Sequence, residues 1–328
     1  MMNILILSAG TRNKLVQYFK KELAGQGKVV ATDCSNLAPA VYEADKFYLV
    51  PRLSSPDYLD TILDICRKEN INGVFSLIDP ELSLLAKERE KFLEVGTTPV
   101  ISPYELVEIC FDKYKMYEML CEMQLPAAKC FVEKDAFYRA QELGEISYPV
   151  FVKPIKGSAS LHINKVYRRE ELEVLFEQYD DLMIQEFMDG TEYGADVYVD
   201  MLTGKCTSIF VKEKIKMRAG ETDKAVSYKD EGLFYLIEKF VEKCGFCGMI
   251  DMDIFKIGDV YYISEVNPRF GGGYPHAHEC GVNMPEQMIR NLKGESNPYA
   301  VGCYKAGICM MKYNEIMIKD MSDQELDK

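Results

Sequence analysis

The sequence has no long apolar run, and it has fewer basic than acidic residues. No stretch approaches the ~18 consecutive apolar residues that a membrane-spanning helix needs. Residues 1–8 have neither the basic leader nor the apolar length of a signal peptide. The 39 Lys and Arg residues against 52 Asp and Glu residues give a formal net charge of −13. This balance disfavours nucleic acid or an anionic membrane as the main partner, and we expect a cytoplasmic protein.

Several common cofactor signatures are also absent from the sequence. Cys244-Gly245-Phe246-Cys247 has no second ligand pair at the spacing of a zinc site, so we expect the eleven cysteines to be mostly reduced and buried. The loop after the first predicted strand contains only Gly10, so it lacks the GxGxxG pattern of dinucleotide-binding domains. The GxxxxGK[ST] pattern of Walker loops does not occur. Zinc and NAD are therefore disfavoured.

The 328 residues, 48% of them hydrophobic, are enough for two or three domains. In residues 1–110, short apolar runs alternate with amphipathic stretches, which predicts a Rossmann-like α/β domain with a parallel sheet. Residues 111–188 have the pattern of a small α+β unit. Residues 189–328 contain long alternating strands, which predict antiparallel sheets. A polar, basic loop is expected at residues 212–224, between a strand and a helix.

A predicted hairpin brings three oxygen-bearing side chains together. Asp253 lies on its first strand, and Glu265 and Asn267 lie on its second strand, two residues apart and so on one sheet face. A turn near Gly258 places Asp253 close to Glu265. Two carboxylates and an amide oxygen suit magnesium, and Arg269 would reach a phosphate oxygen. An ordinary acidic hairpin that ends at a proline is the alternative.

Lys153 ends an apolar strand, and a loop of small residues follows at 157–160. A lysine in a buried strand is costly unless its charge has a partner, and a phosphate would supply one. The backbone N–H groups of this loop, which includes Ser158, could close over a polyphosphate. A lysine whose ammonium group reaches solvent, followed by a solvent-exposed loop, is the alternative.

A strand, an apolar linker and a second strand are predicted in residues 183–192. Phe187 and Met188 supply the flat apolar wall that an adenine slot needs. Glu192 could accept hydrogen bonds from ribose hydroxyls. A plain strand–turn–strand segment fits the same residues.

The order and spacing of these three segments resemble those of ATP-grasp enzymes, in particular the single-unit relatives of the carbamoyl-phosphate synthetase large subunit. The resemblance covers essentially the whole chain. It implies a pre-ATP-grasp domain at residues 1–110, a small lobe that forms a lid at 111–188, and a large lobe with the metal site and the C-terminal strands at 189–328. It also implies ATP and Mg²⁺, or Mn²⁺, as cofactors.

The resemblance further implies a role for each residue that matches the family motifs. Arg269 and Lys153 would stabilise the transferred phosphoryl group. Many relatives carry Glu where this chain has Gln185. The implied nucleotide contacts are Lys113, Lys153, Ser158, Gln185, Glu186, Phe187, Met188 and Glu192, and the implied metal ligands are Asp253, Glu265 and Asn267.

Candidate substrate contacts come from four other places in the chain. Relatives that are amino-acid ligases bind the acyl acceptor at a glycine-rich turn after the arginine, which here contains Gly272 and Gly273 and is followed by His276. Arg218, in the basic loop, could hold the γ-phosphate or a substrate carboxylate. In the first domain, Arg12 could bind a substrate carboxylate, and Asp79 and Glu81 could bind a substrate amine. Solvated loop charges are the alternative for all four charged residues.

Taken together, these motifs predict an ATP-dependent ligase. It would join a small-molecule carboxylate to an amine through an acyl phosphate, and a homodimer is the assembly we expect. One alternative is phosphorylation of bicarbonate or carbamate, as in carbamoyl-phosphate synthesis. Another is a non-catalytic nucleotide-binding protein, although the complete set of metal ligands argues against it.

Overall fold

A computed structural model describes residues 1–157 and 163–322 of the chain. The first part is a five-stranded parallel sheet of order β3-β2-β1-β4-β5, flanked by helices. Its strands are β1 (Ile4–Leu7), β2 (Val29–Asp33), β3 (Lys46–Leu49), β4 (Gly73–Ser76) and β5 (Thr98–Pro99), and its helices are α1 (Asn13–Leu23), α2 (Tyr58–Glu69), α3 (Asp79–Lys87), α4 (Arg89–Glu94) and α5 (Tyr104–Phe111), with a 3₁₀ helix at Pro39–Glu43.

Helix α1 is amphipathic and buries one side in the hydrophobic core of this domain. In α1, Leu15, Phe19 and Leu23 recur at helical spacing and are buried. The helix ends at Ala24, whose left-handed conformation directs its backbone N–H back to the carbonyls of the last turn.

A second, four-stranded sheet forms the small lobe. Its order is β6-β9-β7-β8, and all of its neighbouring strands are antiparallel. The elements of this lobe are α6 (Lys113–Glu122), β6 (Cys130–Phe131), α7 (Lys134–Glu142), β7 (Val150–Pro154), β8 (Asn164–Val166), α8 (Arg169–Gln178) and β9 (Leu182–Glu186).

The third sheet has six antiparallel strands in the order β14-β13-β10-β11-β12-β15. It forms the large lobe and carries the predicted metal ligands. Its elements are β10 (Thr191–Val199), β11 (Cys206–Arg218), β12 (Glu221–Tyr228), α9 (Glu231–Cys244), β13 (Gly248–Ile257), β14 (Val260–Asn267), α10 (Tyr274–Glu279), α11 (Met284–Leu292) and β15 (Cys309–Met311).

Two hydrophobic cores matter for the site. One continuous cluster extends from the first domain, for example Phe19 and Phe75, into the large lobe, for example Phe210 and Phe270. The small lobe has a separate cluster around Phe137. The first domain and the large lobe therefore share one core, and the small lobe packs around its own.

The structure confirms the predicted fold class, an α/β domain followed by two lobes with antiparallel sheets. The predicted loop at residues 212–224 is wrong, because β11 continues to Arg218 and β12 begins at Glu221. Ala219 and Gly220 form the turn of this hairpin with positive φ angles of 50° and 76°. The boundaries predicted at residues 110 and 188 stay predictions. No helix among the described residues has the length and apolarity to cross a membrane.

Candidate active site

The three predicted metal ligands meet on the β13–β14 hairpin. Asp253 lies directly opposite Glu265, and Asp251 lies opposite Asn267, so all four side chains belong to one face of the sheet. The Asn267 Nδ2 atom donates a hydrogen bond to Glu265 Oε1 over 3.3 Å. The hairpin thus brings two carboxylates and an amide together, as its spacing predicts. Asp251 is an additional carboxylate that sequence reasoning missed.

Lys214 on β11 connects two of the predicted site residues. Its Nζ atom lies 2.5 Å from Asp253 Oδ1 and 2.8 Å from Glu192 Oε1, and its side chain is only 4% exposed. Burial lowers the pKa of Lys214, but the two carboxylates raise it further, so the net shift is upward and the ammonium stays charged. Sequence reasoning missed Lys214 because it placed this residue in a polar, basic loop and not in a strand of the sheet.

Lys153 is the penultimate residue of β7 and is buried. Burial lowers its pKa, and the charge of Glu265 opposes that shift, so the small lobe directs a cation toward the predicted metal site. Beyond the end of the same strand, Lys113 Nζ donates a hydrogen bond to the Gly157 carbonyl over 2.5 Å. The predicted phosphate loop continues from Gly157, and its Ser158 lies outside the described residues.

Arg269 is held by a carboxylate from the first domain. Its Nε and Nη2 atoms lie 2.7 and 3.2 Å from the two carboxylate oxygens of Asp79, and its Nη1 atom lies 3.8 Å from Asp251 Oδ2. Asp79, predicted to bind a substrate amine, is therefore the ion-pair partner of Arg269 in this structure. Asp251 is the second carboxylate beside Arg269, and burial, followed by the charges of Asp253 and Asp196, raises its pKa to about 7.

The predicted adenine segment runs from the end of β9 into the large lobe. The Gln185 Nε2 atom donates a hydrogen bond to Cys130 Sγ over 3.4 Å. The Glu186 backbone N–H donates to the Lys129 carbonyl over 2.8 Å, and its carboxylate accepts from the Lys129 N–H over 3.1 Å. Phe187 presents its ring face to Lys165, whose Nζ lies 3.4 Å from the ring centre. Met188 is buried, so an apolar wall is present there.

The turn at residues 271–273 lies against three charged side chains. A Cβ atom at Gly271 would overlap the Asp251 carboxylate, and one at Gly272 would lie 2.6 Å from Glu221 Cδ. One at Gly273 would lie 2.9 Å from Lys212 Nζ, which pairs with Asp196. A side chain at any of these three positions would displace a charged group that lies close to the backbone.

The remaining predicted charged residues have partners within the protein. Arg12 pairs with Glu221, whose second oxygen lies 2.8 Å from Lys312 Nζ. Arg218 lies at the exposed end of β11 and pairs with Asp223 at 3.1 Å. Glu81 is fully buried and accepts hydrogen bonds from Tyr58 and Ser76.

Two other places in the chain carry side chains capable of metal or proton chemistry, namely His276 and the CxxC segment. His276 is buried with Nε2 3.0 Å from the Ile308 carbonyl, and burial followed by the charge of Lys212 lowers its pKa to about 4. It is therefore neutral near pH 7. Cys244 and Cys247 are free thiols. Among the described residues, no group of three or more His, Cys, Asp and Glu side chains forms a metal cluster.

Family models match the chain in two places. Residues 4–101 match the PylC-like N-terminal domain. Residues 110–273, half of the chain, match the ATP-grasp domain. The chain belongs to the ATP-grasp family. The resemblance inferred from Lys153, the 183–192 segment and the 265–269 tract is thereby confirmed.

Known relatives fit this assignment. The chain is 25% identical over 285 residues to the arginine-specific large chain of carbamoyl phosphate synthase from Geobacillus stearothermophilus, a match that covers 82% of this chain and 26% of that protein. This chain thus spans about a quarter of the length of that relative.

Solved structures show the same fold. The biotin carboxylase domain of the Hydrogenobacter thermophilus 2-oxoglutarate carboxylase matches with a TM-score of 0.75 at 18% identity, covering 94% of this chain and 73% of that one. An L-amino acid ligase from Bacillus licheniformis matches with a TM-score of 0.66 at 19% identity, covering 91% and 78%.

Proposed function

We propose that this ATP-grasp protein is an ATP-dependent carboxylate–amine ligase that forms an amide through an acyl phosphate. One observation carries the proposal. Asp253, Glu265 and Asn267 meet on the β13–β14 hairpin, while Lys153 from the small lobe and Arg269 beside the hairpin bring positive charge to the same place. Such a site suits phosphoryl transfer, in which anionic oxygens must be held and their charge neutralised.

The donor atoms fit magnesium, or manganese in its place. Asp253, Glu265 and Asn267 would hold the ion through hard oxygen atoms, and phosphate and water would complete its shell. The ion would neutralise charge on the phosphate oxygens. Lys214 shares Asp253 with this site, because its Nζ atom lies 2.5 Å from Asp253 Oδ1.

The nucleotide would lie between the two lobes. Lys153 and Lys113 would contact its phosphates together with the loop that contains Ser158. Phe187 and Met188 would form the wall for adenine, beside Gln185 and Glu186. Glu192 would accept hydrogen bonds from the ribose, oriented by its ion pair with Lys214.

The substrate carboxylate would be phosphorylated near Arg269 and the glycine turn. Asp79 fixes the Arg269 guanidinium through two hydrogen bonds, which orients it before reaction. Gly272 and Gly273 would let a ligand approach the backbone. His276 would contact the substrate as a neutral residue, because its low pKa makes it a weak base. Substrate roles for Arg12, Arg218 and Glu81 stay predictions, as do a homodimer and a cytoplasmic location.

Glu265→Gln tests this proposal. The assay measures ADP release and amide formation with magnesium, ATP and a set of carboxylates and amines. Wild-type protein should release ADP only with a productive pair. Glu265→Gln should lower that rate by roughly a hundredfold or more with little change in thermal stability, since a metal ligand is lost. Glu177→Gln, an exposed carboxylate on α8, is the matched control.

Two results would count against the proposal. If no carboxylate–amine pair raises ADP release above the background, the ligase activity is wrong. If Glu265→Gln keeps the activity of Glu177→Gln, the metal assignment is wrong.

The second candidate is phosphorylation of bicarbonate or carbamate. It is favoured by the match to the carbamoyl phosphate synthase large chain over 82% of this chain. Bicarbonate-dependent ADP release in the absence of any other carboxylate distinguishes it from the amide-forming reaction.

A further inference from the structure

The last residues that the structure describes leave the large lobe and cross to the first domain. β15 is followed by Lys312, whose backbone N–H donates to the Asp223 carbonyl on β12 over 2.9 Å. Further along the chain, Lys319 Nζ lies 5.0 Å from the centre of the Tyr42 ring in the first domain. Residues 313–321, the C-terminal strap, therefore join two parts of the protein across its surface.

The backbone of the C-terminal strap has the hydrogen-bonding capacity of an edge strand. Within residues 1–157 and 163–322, no hydrogen bond between backbone groups involves residues 313–321, and they belong to no strand or helix. β15, which precedes the strap, lies at one edge of the six-stranded sheet. Backbone groups that are unpaired along such an edge can pair with a strand of another chain. The strap is therefore suited to pairing of this kind.

Two isoleucines face outward from the strap. Ile316 and Ile318 are 88% and 84% exposed, whereas Met317 between them is 37% exposed. This alternation is the pattern of an extended chain, in which residues two apart lie on the same side. β-Branched side chains exposed in this way are stabilised when a neighbouring strand places apolar side chains beside them. The strap therefore presents an apolar side to a partner.

Opposite charges flank the apolar residues of the strap at equal distances from Met317. Glu315 lies two residues before Met317, and Lys319 lies two residues after it. Among the residues that the structure describes, no ion pair includes either charge. If two copies of the strap pair in antiparallel orientation about Met317, the Glu315 of each copy lies directly opposite the Lys319 of the other. The same pairing places Ile316 of each copy opposite Ile318 of the other, so the strap is complementary to itself.

Other ways of pairing two straps are less favourable. Shifting the antiparallel register by one residue places Glu315 opposite either Ile318 or Asp320. Parallel pairing in register would place each Glu315 beside its own equivalent, and like charges in that position are destabilising. The antiparallel arrangement also has twofold symmetry, which is the usual symmetry of a homodimer. A second copy of this chain is therefore the partner that the strap fits.

The strap is held at both ends, which lowers the cost of pairing. Lys312 Nζ lies 2.8 Å from Glu221 Oε2 at one end, and the Tyr42 hydroxyl donates to Met321 Sδ over 3.7 Å at the other. Association is less favourable when a segment must first be ordered, so a segment that is already positioned binds more readily. An isolated two-stranded ribbon would be only marginally stable, but here each strand is anchored to a folded domain.

We propose that two copies of this chain form a homodimer through their C-terminal straps, paired in antiparallel orientation about Met317. Ile316 and Ile318 of both copies would form one apolar cluster, with a Glu315–Lys319 ion pair on each side of it. The contact is small, so we expect a dissociation constant of roughly micromolar or weaker. It involves none of the residues assigned to ATP or magnesium, and its test needs no turnover. The proposal can therefore fail or hold independently of the ligase activity.

Charge reversal tests the pairing. Sedimentation velocity of the full chain over a wide range of concentrations measures the monomer–dimer equilibrium without nucleotide. Glu315→Lys and Lys319→Glu each place like charges opposite each other, so each should raise the dissociation constant by roughly tenfold or more. Glu177→Lys, which makes the same change of charge at an exposed position on α8, should dimerise like the wild type.

An equimolar mixture of Glu315→Lys and Lys319→Glu provides a rescue. In a dimer with one copy of each variant, opposite charges again face each other at both ends of the pairing. Native mass spectrometry should therefore show heterodimers of the two variants at a concentration where each variant alone is mainly monomeric. A purely structural effect of either substitution on the strap would not be corrected by mixing.

Cross-linking tests the register. Residues directly opposite each other in an antiparallel pair have Cα atoms about 4.5–5.5 Å apart, which is within the range of a disulfide. With diamide as the oxidant, Met317→Cys should form a disulfide between the two copies of residue 317, identified by peptide mass spectrometry. Tyr313→Cys is the matched control, since its two copies would be eight residues apart along the pairing, about 27 Å. Both positions are exposed, so we expect both variants to fold.

Three kinds of result would overturn the homodimer. The first is a wild-type chain that stays monomeric at every concentration. The second is a Glu315→Lys variant that dimerises like Glu177→Lys, or a mixture of the two charge-reversed variants that does not associate. The third is a Tyr313→Cys variant that cross-links as readily as Met317→Cys, because the copies would then not pair about Met317.

Discussion

Each of the three glycines at 271–273 accommodates one charged side chain from a different strand. Asp251 lies on β13, Glu221 on β12 and Lys212 on β11. Each charge has its own partner, so the turn is surrounded by ion pairs that a Cβ atom would displace. A glycine run is often interpreted as a flexible loop, but here it marks close approach between backbone and charge.

Gly272→Ala tests this interpretation. The new Cβ atom would lie 2.6–2.8 Å from the Glu221 carboxylate, which must then move away from Arg12 and Lys312. We expect a loss of stability of about 1–2 kcal/mol from overpacking, measured by urea unfolding, and a higher KM for the carboxylate substrate.

A second substitution separates the clash from a backbone effect. Glu221→Ala removes the group that the new Cβ atom meets, so the double variant Gly272→Ala/Glu221→Ala should be no less stable than Glu221→Ala alone. If the double variant instead loses the sum of the two single effects, the close approach of Glu221 is not what requires glycine at this position.

At the scale of elements, the β11–β12 hairpin is the part of the large lobe that differs most from expectation. The segment from Lys212 to Arg218 is rich in lysine, which suggested a polar, basic loop. In the structure, Lys212 and Lys214 are turned inward, where Asp196 and the pair Glu192 and Asp253 neutralise them. A charged residue can lie in a buried strand when its partners are in place.

Lys214→Met is expected to destabilise the protein by about 3 kcal/mol, because Glu192 and Asp253 lose their shared cation while partly buried. Magnesium should restore part of this stability, since a metal ion would replace the ammonium charge at Asp253. Thermal unfolding with and without magnesium measures both effects. Lys216→Met, an exposed position on the same strand, is the control. Equal losses in the two variants would contradict a special role for Lys214.

The contrast between the two hairpins shows how far the sequence is informative. The β13–β14 hairpin was predictable because its turn at Gly258 is short, and alternation alone then places Asp253 opposite Glu265. The ion pairs of the buried lysines on β11 were not predictable in the same way. Lys214 meets Asp253 across 39 residues, a pairing that depends on the order of strands in the sheet. The local sequence pattern determines which residues of a strand lie on the same face, but it does not determine which strands lie beside that strand in the sheet.

At the scale of the whole molecule, the first domain and the large lobe share one hydrophobic core, and the site lies across their junction. Arg269 in the large lobe takes its closest carboxylate, Asp79, from the first domain, 190 residues away. A prediction from local sequence assigned Asp79 to a substrate, because its real partner is distant in the chain. The first domain thus shapes the proposed phosphoryl-transfer site even though it is assigned none of the metal ligands.

Asp79→Asn tests whether this contact across the junction serves catalysis or only stability. Asparagine keeps one acceptor for Arg269 but loses the charge and one hydrogen bond, so the guanidinium is free to turn toward Asp251, 3.8 Å away. We expect kcat to fall roughly tenfold to a hundredfold with little change in the KM for ATP, since orientation of Arg269 is lost.

Glu279→Gln is the matched control for this junction. Glu279 accepts a hydrogen bond from Tyr18 across the same interface, over 2.8 Å, but it touches none of the proposed site residues that the structure describes. Both variants should unfold at a lower temperature, because each weakens a contact between the first domain and the large lobe. Only Asp79→Asn should lose activity at a temperature where both are fully folded. If kcat falls equally in the two variants, Asp79 acts through the stability of the junction, and Arg269 does not need a carboxylate from the first domain to be positioned.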